Sequence, residues 1–240
     1  MSSRLRPPPR HHVAQSYTEL HEWNATKTSA ESHEMARPRG LIVDFGNVIA
    51  FFDHRKAAAQ LARLAVSPVD PQIVYDAVFS SPLEADYDSG RITTPEFLTR
   101  LRRDLNLCGE DIAIATAWSD IYQPNDAIAA LVKDAKQHGL RLVLGSNTNE
   151  LHYNWFRPAF AATLDSFDAE VLSFRIGCSK PDRRFFDACL RACPDLQATE
   201  CLYIDDRADF IDAAAHLGLP GIVYRPGAGI EATIARRFQT

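Results

Sequence analysis

Three short apolar runs, each stopped by residues able to do chemistry, constrain this chain more than any other feature. Leu41-Ile42-Val43 runs into Asp44, residues 140–144 into Gly145-Ser146-Asn147-Thr148-Asn149, and residues 201–204 into Asp205-Asp206. Short runs of this kind read as strands buried on both faces, as in parallel sheets. Helical patterns separate them. Residues 126–138 carry Ile128, Leu131, Val132 and Ala135 on one face and stop at Gly139; 182–192 and 208–217 are helical, and a strand at 221–224 and a helix at 230–238 close the series. A further short strand is expected within 167–174. The alternation predicts an α/β fold, a Rossmann-like parallel sheet with right-handed crossovers. The carboxyl ends of such strands converge on one crevice, where Asp44, Ser146, Asp205 and Asp206 are expected to meet.

Between the first strand and residue 125 the pattern is helical. Ala57, Ala58, Leu61, Leu64 and Ala65 recur with a period of 3.6 within 53–66; Asp70-Pro71 starts a second helix, Thr93-Thr94-Pro95-Glu96 a third, and a fourth lies near 110–121. The sequence thus predicts an all-helical cap of about four helices at 55–124, inserted into a core made of 39–54 and 125–240. Glu84-Ala-Asp-Tyr-Asp-Ser-Gly-Arg91 is its expected polar loop, the best placed to reach the crevice. Residues 1–38 hold Arg4, Arg6, Arg10 and Pro7-Pro8-Pro9 with no lasting hydrophobic period, and read as a disordered tail without a secretory signal. Met35, opening straight onto the first strand, is a candidate start of translation.

A formal net charge of −5 gives no nucleic-acid footprint. No apolar run approaches the roughly 18 residues that span a bilayer. The five cysteines are scattered, without a C-x-x-C pair. They read as reduced, mostly buried thiols of a cytoplasmic protein, not as a disulfide framework or a zinc site.

Each strand-end residue has a plain reading. Asp44, Asp205 and Asp206 suit turns and helix caps, Ser146 a strand-end turn, and Lys180, in Cys178-Ser179-Lys180-Pro181, a solvated surface. Together they suit phosphoryl transfer. Carboxylates from separate strands can share one Mg²⁺, which takes few protein ligands. A carboxylate can attack phosphorus to give an aspartyl phosphate. Like charges 4 Å apart repel by about 4 kcal/mol at an effective dielectric near 20. Mg²⁺ and Lys180 offset that, while the Ser146 hydroxyl and loop N–H groups hold phosphate oxygens.

In this order the motifs resemble the haloacid dehalogenase-like hydrolase superfamily over about residues 40–238. Asp44-Phe-Gly-Asn-Val, Ser146-Asn, Lys180-Pro and Asp205-Asp206 are similar to its four motifs, and 55–124 to its helical cap. Asp44-Phe-Gly-Asn-Val-Ile, Ser146-Asn-Thr-Asn-Glu-Leu-His152, Lys180-Pro-Asp and Asp205-Asp-Arg-Ala-Asp209 look most like members of the alpha-D-glucose-1-phosphate phosphatase type. The resemblance implies that Asp44 is the nucleophile. Asp44, the Gly46 backbone carbonyl and Asp206 would be the Mg²⁺ ligands, with Asp205 behind them or acting through water. Ser146, Asn147 and Lys180 would bind phosphate.

The implied activity is a Mg²⁺-dependent phosphatase that hydrolyses a small phosphorylated metabolite, such as a sugar phosphate, through an aspartyl phosphate. It would act as a monomer or weak homo-oligomer, with no nucleic-acid or membrane partner. One position departs from the pattern. Most phosphatases of this superfamily carry a second Asp two residues after the nucleophile as general acid–base; here Gly46 stands there, removing a contribution of about 10²–10⁴-fold. A good leaving group, a proton-transfer group from the cap, or a catalytically silent binding protein are the alternatives this opens. A haloacid dehalogenase is a further one, disfavoured because that group usually has an aromatic at this position. His152 and Trp155 read as a satisfied helix histidine and a packing aromatic, outside the catalytic set.

Overall fold

The structure, a computed structural model, describes residues 37–239. The expectations for residues 1–36, including a start at Met35, lie outside the described residues. From β1 (Gly40–Val43) the chain passes through β2 (Ala50–Phe52) into five helices: α1 (His54–Ala62), α2 (Pro71–Phe79), α3 (Pro82–Asp88), α4 (Thr94–Leu105) and α5 (Asp111–Ser119). It returns through β3 (Tyr122–Pro124), which pairs antiparallel with β2. Then follow α6 (Asp126–Gln137), β4 (Arg141–Ser146), α7 (Glu150–Ala159), β5 (Ala169–Leu172), α8 (Arg183–Arg191), β6 (Cys201–Asp205), α9 (Ala208–Ala215), β7 (Gly221–Val223) and α10 (Ile230–Gln239). The main sheet has the order β5-β4-β1-β6-β7 and is parallel throughout.

The twofold period of a strand sorts its side chains between two layers. Leu41, Val43, Leu142, Leu144, Leu202 and Ile204 pack with Ile128, Leu131, Val132 and Phe156 of α6 and α7. Ile42, Val143 and Tyr203 face the other way, onto Phe185, Phe186 and Cys189 of α8 and Phe210 and Ile211 of α9. Both faces are therefore buried, which is why these runs are apolar without alternation. The inserted helices enclose a separate apolar cluster that includes Leu61, Val74, Phe97, Leu101, Ile114 and Trp118.

Two details differ from the sequence reading. Residues 122–124 leave the helical insert and close a short ribbon with β2. The stretch expected as a polar loop from Glu84 is mostly helix. Ser81 accepts a hydrogen bond from Leu83 N at 3.3 Å and Pro82 occupies the first turn, so Ser-Pro ends α2 and at once starts α3. The insert accordingly has five helices where about four were expected. No helix among the described residues is long and apolar enough to cross a membrane. Cys178, Cys189, Cys193 and Cys201 are buried free thiols and Cys108 is exposed.

Candidate active site

Strand register assembles the site. Val43 is level with Leu144 on β4 and with Ile204 on β6. One residue further, Asp44, Gly145 and Asp205 stand side by side at the carboxyl edge. The Asp44 N–H donates to Ile204 O at 2.9 Å, carrying the sheet pairing up to that edge. The chain then turns at Asn47, whose φ of 54° lies in the left-handed region that Asn tolerates better than most residues. From there Asn47 Nδ2 donates to Asp206 Oδ2 at 3.1 Å.

Lys180 is the hub of the charges. Its buried ammonium donates to Asp44 Oδ1 and Asp205 Oδ2, each at 2.7 Å, and to Gly145 O at 3.1 Å. Burial alone would push this ammonium down, but the two carboxylates hold it above its ordinary value. Burial pushes the Asp44 carboxyl up to about 7, with Lys180 opposing and Asp205 and Asp206 adding to the rise. Burial likewise raises Asp206. Asp205 is heavily engaged: Oδ2 also accepts from the Tyr203 hydroxyl, and Oδ1 accepts from Arg207 N at 2.9 Å.

Asp44, Asp205 and Asp206 each bring a carboxylate oxygen within 4.8 Å of the others. Three carboxylates (−3) and the Lys180 ammonium (+1) leave a formal −2 in a buried place. An all-oxygen donor set with that charge fits a hard divalent cation such as Mg²⁺. Asp205 is the most engaged of the three, Asp44 and Asp206 have more free acceptor capacity to hold one, and Gly46, Asp44 and Asp206 line the same cavity.

On the β4 side, Ser146 is buried and its hydroxyl makes one long hydrogen bond, to Asn147 O at 3.3 Å. Asn147 clasps the lysine loop: Nδ2 donates to Lys180 O at 3.1 Å and Oδ1 accepts from Lys180 N at 2.8 Å. Its side chain thus holds Lys180 in place, a duty the sequence did not reveal. Thr148 Oγ1 is buried without a hydrogen-bond partner among the described residues, and Thr148 lines the cavity.

These groups surround a cavity of about 280 Å³ whose far wall comes from the insert and the ribbon: Phe52, His54, Glu84, Asp88 and Tyr122. A Cβ on Gly46 would lie 2.8 Å from Phe52 Cε1, so the Phe52 ring occupies the space where the missing carboxylate would begin. His54 Nε2 faces Glu84 Oε1 at 3.2 Å. Asp88 is clamped by Asn149 Nδ2 at 2.8 Å, and burial raises its carboxyl to about 6. His152 is stacked on Trp118, with Nδ1 on Asn149 Nδ2 at 3.1 Å and Nε2 on Trp118 O at 3.3 Å. Burial pushes it down to about 3, and one neutral tautomer, with its hydrogen on Nε2, satisfies both contacts. It is therefore a satisfied buried histidine, as expected from sequence. Trp155 is 37% exposed and outside the cavity lining. Of the stretch 84–91, Glu84 and Asp88 line the cavity, while Arg91 turns to Asp86 at 2.7 Å.

The family model for haloacid dehalogenase-like hydrolases matches residues 38–218. The chain belongs to this family. Among relatives, it is 26% identical to a phosphatase of Mycobacterium tuberculosis, over 75% of this chain and 83% of that protein. It is 23% identical to a sesquiterpene phosphatase of Aspergillus oryzae, over 60% of this chain and 74% of that one. Among solved structures, a predicted haloacid dehalogenase-like hydrolase of Porphyromonas gingivalis superimposes with a TM-score of 0.72, at 22% identity, covering 85% of this chain and all of that one (100%). A family enzyme of Bacteroides thetaiotaomicron, solved with magnesium and inorganic phosphate, gives a TM-score of 0.65 at 21% identity, covering 79% and 96%. At these identities the structural likeness speaks for the fold.

Proposed function

We propose that this hydrolase is a Mg²⁺-dependent phosphatase of small phosphorylated metabolites, working through a phosphoryl group carried on Asp44. The observation that carries the reading is the convergence of Asp44, Asp205, Asp206 and Lys180 from separate segments at one sheet edge. Mg²⁺, held by Asp44, Asp206 and the Gly46 carbonyl, would supply charge neutralisation for a phosphate entering beside carboxylates. Lys180 orients the Asp44 oxygen and favours its ionised form against the effect of burial. Asp205 and Asn147 hold Lys180. Ser146 and Thr148 offer hydroxyls to the phosphate oxygens. In the first half-reaction an Asp44 oxygen bonds to phosphorus and the ester bond breaks, its electron pair leaving with the ester oxygen; in the second, water takes the phosphoryl group from Asp44.

The named activities of the two relatives and the magnesium–phosphate complex of the Bacteroides enzyme support this reading. The cavity, about 280 Å³, falls at the small end of ligand pockets, which span roughly 300–1,000 Å³ for drug-sized molecules. Its far wall carries Glu84 and Asp88, which favours a leaving group rich in hydroxyls, as in a sugar phosphate, over an anionic one. A haloacid dehalogenase would have no use for the clustered carboxylates, and a silent binding protein none for the nucleophile aimed by Lys180. The test is phosphate release from p-nitrophenyl phosphate and a panel of sugar phosphates, with Mg²⁺ and with EDTA, for the wild type and Asp44→Asn. Turnover is expected only for the wild type with Mg²⁺. Turnover surviving EDTA or Asp44→Asn, or no turnover of any ester, overturns the proposal.

A further inference from the structure

Position 46 leaves the phosphatase reading one group short, and the cavity contains a candidate to replace it. The replacement must face Asp44 across the cavity, carry an exchangeable proton and be free to reach an ester oxygen. Asp88 is tied by Asn149, and both ring nitrogens of His152 are engaged. Glu84 differs. It enters from the first turn of α3, and among the described residues its carboxyl makes one polar side-chain contact, to His54 Nε2 at 3.2 Å. His54 itself is fixed, stacked on Phe79 with ring centroids 4.3 Å apart. The same ribbon residue that closes off position 46, Phe52, lies against the His54 ring, with centroids 4.8 Å apart. The wall that excludes a carboxylate at 46 therefore leads directly to one at 84.

We infer that Glu84, positioned by His54, is the proton donor and acceptor of this active site. The inference rests on the Asp44 phosphatase reading. As the ester oxygen–phosphorus bond breaks, its electron pair stays on the leaving oxygen, which takes the Glu84 proton. The resulting carboxylate then takes a proton from the water whose oxygen bonds to phosphorus. The bond between phosphorus and Asp44 breaks, and its pair returns to the Asp44 carboxylate. Burial and the neighbouring Asp88 hold the Glu84 carboxyl well above its ordinary value, which favours the acid form. Burial holds the His54 imidazole down to about 4 against the nearby Asp53, so it meets Glu84 uncharged. Tyr122, Asp88 and His152 are the other titratable groups on this wall.

The experiment compares ethyl, trifluoroethyl and p-nitrophenyl phosphate with Mg²⁺, using the wild type and Glu84→Gln. None of these leaving groups has a hydroxyl for Glu84 to bind, so a loss of substrate recognition cannot imitate a loss of proton transfer. Glu84→Gln is expected to lose about 10²–10⁴-fold in the single-turnover rate of alcohol release from ethyl phosphate but less than about fivefold in the burst-phase release of p-nitrophenol, which needs no proton. It should also show a burst of p-nitrophenol as water attack becomes limiting. The wild type should hydrolyse ethyl and trifluoroethyl phosphate at similar rates, a readout that needs no variant to fold. Equal losses of the single-turnover rate on all three esters, or a wild type far faster on trifluoroethyl than on ethyl phosphate, overturns this inference alone. A wild type that hydrolyses none of them removes the phosphatase reading itself.

Discussion

Replacing Gly46 by Ala tests whether Phe52 dictates what can stand beside the nucleophile. The added Cβ would sit 2.8 Å from Phe52 Cε1, closer than side chains approach, and a tight 3.3 Å from Cδ1, so the ring must move. Overpacking of this kind costs about 1–3 kcal/mol. Gly46 is not among the residues with positive φ, so its backbone accepts Ala. Once the ring is removed, Gly→Ala should stabilise by about 0.4–1 kcal/mol through the lower entropy of the unfolded chain. The sign of the substitution should therefore reverse between the wild-type and Phe52→Ala backgrounds. The double-mutant cycle then has a coupling energy of about 1.5–4 kcal/mol, the sum of those two effects. Urea denaturation of the four proteins measures it, and the single Gly46→Ala change should lower Tm by about 2–4 °C for each kcal/mol lost in a chain of this size. An equal cost in both backgrounds refutes the reasoning, because the space at position 46 is then not limited by Phe52.

Three further outcomes follow from the same geometry. Lys180→Met strands Asp44 and Asp205 without their buried cation and should destabilise the fold by about 3–5 kcal/mol in urea titrations. MgCl₂ should raise Tm in proportion to the logarithm of its concentration above Kd, an increase that Asp206→Asn largely removes in differential scanning calorimetry. The fold holds His152 neutral down to about 3 against an ordinary value of 6.5, so the unfolded chain binds the extra proton between those limits. Stability from this residue is complete above pH 6.5 and falls on acidification. Between pH 6.5 and 5 the loss is about 2 kcal/mol, and His152→Asn, though less stable at pH 7, should show a shallower decline in urea midpoints over that window.

The parallel sheet and the polar groups at its edge were legible because buried strands leave an apolar run and strand ends leave a polar stop. Asp44, Ser146, Asp205 and Lys180 therefore come together as expected. The wall opposite was less legible. His54 follows a three-residue strand too short to show a period, and belongs to no motif. Glu84 was visible only as part of a polar stretch. In the structure Ser81 caps α3, and Glu84 turns from its first turn to His54. The ribbon of residues 122–124 owes its shape to pairing with β2, a tertiary contact that no local pattern encodes. The family resemblance assigned Asn147 to the phosphate, and only its contacts across the fold reveal that it also holds the Lys180 loop.

The central claim is that Asp44 carries the phosphoryl group. Its most direct test is to quench a turnover mixture containing Mg²⁺ and p-nitrophenyl phosphate in acid, reduce the acyl phosphate with borohydride, and map the product by peptide mass spectrometry. The account predicts conversion of Asp44 to homoserine, dependent on Mg²⁺ and on substrate. Turnover with Asp44 unmodified, or with the modification at another residue, contradicts it.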